Sequence, residues 1–99
     1  MYKNTGTAMI FDWDEAKNRA KHRVSFEAAT LVFDDPHAVG VPDRVEEGEE
    51  RWRTVGMAAG VVLLFVAHTY REEGGEEYIR IISARKATPR ERKTYEEGF

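Results

Sequence analysis

VVLLFVA, residues 61–67, is the longest apolar run in the chain, and it limits the fold more than any other segment. Crossing a bilayer takes about 20 such residues, so the run is an internal element and reads as a buried strand. Strand signals surround it. HAVGVPDR (37–44) is a short edge strand limited by Gly40 and Pro42, and RWRTVGM (51–57) is the next. The apolar run continues to VVLLFVAHTYR (61–71), and EEYIRIISA (76–84) completes an antiparallel meander. EEGEE (46–50) and EEGGEE (72–77) are acidic turns punctuated by glycine.

Helix signals flank these strands. FDWDEAKNRAKH predicts a first helix capped by Asp12, with Glu15 three residues on as in a capping box. VSFEAATLVFDDP predicts a second, capped by Ser25, with Phe26, Thr30 and Phe33 at helical spacing and Asp35-Pro36 as its stop. The last helix has the fullest start signal: Thr88 as N-cap, Pro89 in the first turn and Glu91 closing a capping box. The expected architecture is α+β, a single domain over residues 1–99. It has two N-terminal helices, a four-stranded mainly antiparallel sheet and a C-terminal helix, with the helices on one face.

Ninety-nine residues, 41% hydrophobic, suit one globular core. The chain has no cysteine, which excludes disulfides, zinc–thiolate sites and thiol nucleophiles and fits a reducing compartment. MYKNTGTAMIF lacks the apolar segment of a signal peptide, so a soluble, cytoplasmic protein without membrane contact is expected. The formal charge is −3, but it is unevenly spread. Residues 11–50 carry eleven acidic and five basic side chains, whereas residues 78–93 carry six basic and one acidic. A local basic patch sets the potential of one face whatever the total.

FDWDEAKNR, KHRVSFEAATLVFDDP, ERWRTVG, LLFVAHTYR and above all IRIISARKATPRERKTYEE resemble the BrnT family of type II toxins. The likeness runs in family order from Ile10 onward. It implies a bacterial ribonuclease with a fold similar to the RelE/ParE toxins. It also implies a BrnA-like ribbon-helix-helix antitoxin that inhibits the toxin and represses the shared promoter, so that promoter DNA is met only through the antitoxin. Two features depart from the family pattern. Lys17 abuts Asn18, shortening the first helix by about three residues, almost one turn; and Arg23 replaces the glycine after the histidine. A module that binds antitoxin without cleaving RNA is the alternative these departures keep open.

Metal-independent RNA cleavage needs a base for the 2′-hydroxyl, cations for the dianionic phosphorane and an acid for the 5′-oxygen. Guanidinium groups suit the second task because two donors match two phosphate oxygens. The expected catalytic set is Arg85, Arg80, Lys86, His22 and Tyr95, with Lys21, Arg51, Arg53, Arg71 and Arg90 binding RNA. By strand alternation Tyr78, Arg80 and Ile82 share one face, and Ile79, Ile81 and Ser83 the other. Arg85 and Lys86 follow the strand end, where both could reach a ligand above the sheet. Arg80, set among apolar residues, wants a carboxylate or a phosphate partner. His22 and His68 are the candidate proton carriers, and each also suits a structural role. Tyr95 could carry a proton only with a strongly lowered pKa; otherwise it anchors the last helix. Asp12, Asp14 and Glu15 form no spaced cluster with the histidines, so neither metal nor other cofactor is expected.

Overall fold

The computed structural model describes residues 8–20 and 24–98. Strand β1 (Met9–Trp13) leads into α1 (Glu15–Ala20) and α2 (Phe26–Thr30), which tightens into a 3-10 turn, Leu31–Asp34. Then come β2 (Val39–Glu46), β3 (Glu49–Ala58), β4 (Val62–Thr69), β5 (Arg71–Glu73), β6 (Glu76–Lys86) and α3 (Pro89–Glu97). The α+β class holds, but the sheet has six strands rather than four, in the order β1-β6-β4-β3-β2 with β5 hydrogen-bonded to β6. The antiparallel meander is present, and β1 adds a parallel edge beside β6.

The start of the first helix corrects the sequence reading. Met9, Phe11 and Trp13 are half-buried while Ile10 and Asp12 are exposed, the two-residue alternation of a strand. The helix begins after Asp14, whose Oδ1 accepts from the Ala16 and Lys17 amides at 2.9 and 3.3 Å. Asp14, not Asp12, is the cap. Glu15 instead accepts from the Trp13 indole at 2.9 Å. In α2 the Ser25 cap is as expected, its Oγ accepting from the Ala28 amide at 3.0 Å. The buried stripe there is Phe26, Ala29, Val32 and Phe33. Thr30 stays outside it and donates to the Glu27 carbonyl. Asn18 ties the two helices together: its Oδ1 accepts from the Phe26 amide at 2.8 Å and its Nδ2 donates to Glu27.

That stripe lies on one face of the sheet, against Leu64 and Val66 of β4 and Ile79, Ile81 and Ala84 of β6. Gly56 of β3 permits the close approach, because a Cβ there would stand 2.8 Å from Val32 Cγ1 and 3.0 Å from Ala38 Cβ. The opposite face is open at one end. At the other, Val39, Val55 and Leu63 are buried, where α3 contacts β3. The Thr88/Glu91 capping box forms as expected. Although α3 buries no residue, the Tyr95 hydroxyl fastens it by donating to Asp35 Oδ2 at 2.8 Å. No described helix is long and apolar enough to cross a membrane.

Candidate functional site

Arg85 reaches the open face only because β6 breaks its alternation. Ala67 faces Ser83, but His68 faces Ile81, so Ile82 is an extra residue in the ladder. Strict alternation would send Ser83 and Arg85 to the same side as Ile79 and Ile81, the core side. The bulge reverses the parity: Ala84 enters the core, and Ser83 and Arg85 join Arg80 and Tyr78 on the open face. The expected face-sharing of Ser83 with Ile81 is therefore corrected. Lys86 is corrected too. It lies within β6 and faces Leu64, a core-side residue, so it and Arg85 leave the strand on opposite sides.

Each open-face arginine has a defined setting. Arg85 makes a two-pronged pair with Glu91, Nη1–Oε1 and Nη2–Oε2 both 2.8 Å, while its guanidinium lies 4.2 Å over the Phe65 ring. The hydrogen bond from Arg85 holds the Glu91 carboxyl below its usual range, and the Thr88 amide adds to this. The same bond raises the Arg85 pKa. Arg80 Nη1 donates to Asp12 Oδ2 at 3.0 Å, so Arg80 has the carboxylate partner it wanted. Arg71 pairs with Glu73 and lies 4.3 Å over the Tyr78 ring. Arg51 pairs with Glu46 at 3.1 Å, and its buried Nε lacks a hydrogen-bond partner among the described residues. Arg53 is exposed, as are Lys86 and Arg90.

Ala67 and Ser83, small and half-exposed, face one another in the middle of this surface. Arg53 stands opposite Ala67 on β3, and Arg85 lies one step along beside Phe65. On the other side the Arg80 amide donates to Thr69 Oγ1, next to Arg51 across the ladder. The result is a shallow strip with a small-residue floor and a guanidinium border. Arg80 and Arg85 are five residues apart, roughly 15 Å along the strand. They therefore mark two positions on a track rather than one pocket.

The expected proton carriers lie elsewhere. His68 is fully buried on the core side, edge-on to Phe33 at 4.9 Å between ring centres. Its Nδ1–H donates to the Thr69 carbonyl at 2.9 Å, which leaves Nε2 to accept from the Thr54 hydroxyl at 2.7 Å. Burial lowers its pKa to about 4, against a partial lift from the Thr69 bond, so it is a neutral structural residue. Tyr95 is pushed up to about 12 by burial and by its bond to Asp35, the reverse of what proton transfer at neutral pH would need. Burial acts to raise Asp35, yet bonds from the Met57 and His37 amides and from Tyr95 outweigh it and lower its pKa. Lys21 and His22 lie outside the described residues, as does Arg23. No group of three or more metal-binding side chains occurs among the described residues.

Sequence reasoning missed both carboxylates. Glu91 was visible as a cap, but nothing local signals that it also grips Arg85. Asp12 meets Arg80 only because β1 lies parallel to β6, a pairing 68 residues apart in sequence.

Fold and site together define a small α+β domain with α2 and the 3-10 turn over one sheet face and arginines along the other, where α3 covers one end instead of joining the other helices on a single face as the sequence suggested. A family model described as "Ribonuclease toxin, BrnT, of type II toxin-antitoxin system" matches residues 13–91, and the chain belongs to that family. The 1.1 Å crystal structure of the Brucella abortus ribonuclease toxin, BrnT, is similar in fold and sequence. Its TM-score is 0.56 at 25% identity, over 83% of this chain and 99% of that one. No curated protein matches the chain.

Proposed function

We propose that the protein is a metal-independent endoribonuclease that lays single-stranded RNA along the open sheet face and is inhibited by a BrnA-like ribbon-helix-helix antitoxin. Family membership supports ribonuclease action within a toxin–antitoxin pair. The observation that carries the mechanism is the strip floored by Ala67 and Ser83 and bordered by Arg53, Arg80 and Arg85. Preorganised guanidinium groups stabilise the charge that grows on phosphorus and its oxygens during in-line attack. Arg85 is assigned to the scissile phosphate, Arg80 to a neighbouring one, and Arg51 and Arg53 to the flanking backbone, while Arg71, paired with Glu73 and stacked on Tyr78, borders the RNA path. Lys86, Arg90 and Lys21 add long-range attraction. His22 is assigned to proton transfer in this reading, since the other candidate carrier, His68, is enclosed in the core. Kinship with the RelE/ParE toxins belongs to the same reading.

In the free protein Glu91 and Asp12 hold the two key arginines in place. A phosphate competes for the same donors, and so does an acidic segment of an antitoxin, which gives one surface two mutually exclusive ligands. The test is to incubate the purified toxin, freed of antitoxin, with a defined RNA in excess chelator. Cleavage that persists with chelator and stops on adding an equimolar ribbon-helix-helix partner is expected. RNA left intact by folded protein would instead favour the non-cleaving module.

A further inference from the structure

A second feature of the open face does not fit a phosphate. Beyond Arg80, toward β5, Asp12, Glu49, Thr69, Arg71, Tyr78 and Arg80 line an open cleft. Its wall carries two guanidinium groups and two carboxylates, so its formal charge balances, and Arg71 is further neutralised by Glu73. It therefore offers a phosphate less than the strip beside it, where three guanidinium groups, Arg53, Arg80 and Arg85, stand against two carboxylates, Asp12 and Glu91. What it offers is a flat stack and acceptors. The Arg71 guanidinium and the Tyr78 ring lie 4.3 Å apart. The Tyr78 hydroxyl donates to Glu76 at 2.9 Å, which fixes the ring. Asp12 lines the cleft and engages Arg80 through one carboxylate oxygen, Oδ2, and Glu49 is exposed. Aromatic rings and arginine planes are the surfaces on which splayed RNA bases stack, and carboxylates accept from base edges.

We infer that this cleft is a nucleobase subsite that favours guanine over uracil at a position flanking the backbone held by the arginine strip. The inference rests on the RNA-cleaving reading above. A carboxylate can accept from both the N1–H and the exocyclic amino group of guanine. Uracil presents one N–H between two carbonyl oxygens, and those oxygens face the carboxylates unfavourably. The preference arises from the acceptors, while the stack supplies affinity without choosing a base.

Titrating isotope-labelled full-length protein with guanosine and uridine 5′-monophosphates separates base from phosphate, because the phosphate is common to both. Amide shifts should concentrate at Glu49, Arg71 and Tyr78, with guanosine monophosphate half-saturating at about tenfold lower concentration. Glu49→Gln should shrink that ratio, and Arg71→Ala or Tyr78→Leu should weaken both nucleotides together. Equal affinity for the two nucleotides, or shifts confined to Arg53 and Arg85, would overturn the assignment. Cleavage of RNA with no base preference would remove the subsite and keep the ribonuclease reading. A guanosine preference without cleavage would do the reverse.

Discussion

His68 shows how a residue that looks catalytic can be structural. Its ring is fully buried, both nitrogens are engaged within the core, and burial lowers its pKa from 6.5 to about 4. The unfolded chain binds a proton at this histidine near pH 6.5, whereas the folded one does so only near pH 4. Stability is therefore complete above about pH 6.5 and falls as pH drops toward 4, by about 3 kcal/mol in all. Chemical denaturation between pH 7 and 4 should show this slope, and His68→Gln should flatten it. Glu91 and Asp35 have lowered pKa values, so their contributions fade only below about pH 4.5, in a separate window. Arg85 and Glu91 are half-exposed and partly exposed, so their pair is worth about 1 kcal/mol or less to the fold. Its value lies in holding the guanidinium in place.

At the level of elements, β6 and α3 act as one unit. The bulge at Ile82 aims Arg85 outward, and Glu91 then joins strand to helix by binding Arg85 and the Thr88 amide together. Thr88→Ala should cost about 1 kcal/mol of stability through the lost cap, measurable by denaturant titration. Gly56→Ala should cost about 1–3 kcal/mol, because the new methyl meets Val32 and Ala38 across the closest helix–sheet approach. Thr88, Pro89 and Glu91 made α3 legible in the sequence because a cap depends on neighbours within one turn. Ser25 did the same for α2. β1 was not legible. FDWDE carries a local helix signal, and only a parallel partner near the chain's other end makes MIFDW a strand. The bulge was hidden for the same reason: IRIISARK alternates plausibly on its own, and the shift exists only relative to β4. Local chemistry thus revealed the candidate arginines, while tertiary pairing decided which face each one joined.

Across the whole molecule, the net charge of −3 conceals a division of labour. One sheet face is sealed by α2 and the 3-10 turn, and the other carries the arginine strip. Binding of single-stranded RNA should fall with salt according to the phosphates neutralised. Four contacts, through Arg51, Arg53, Arg80 and Arg85, give a slope of about −3 in log K against log salt, and each arginine removed lowers its magnitude by about 0.7. Arg53→Gln is the informative variant, because Arg53 is exposed on the strip. The most direct test of cleavage on the arginine strip is the cleavage rate itself, measured with chelator present on one defined RNA. Arg85→Gln should lower that rate by about a hundredfold or more. Lys17→Gln, the same charge change at an exposed residue of α1 outside the strip, should leave it within about threefold. Equal losses in the two variants, or cleavage abolished by the chelator in the unaltered protein, would contradict the account.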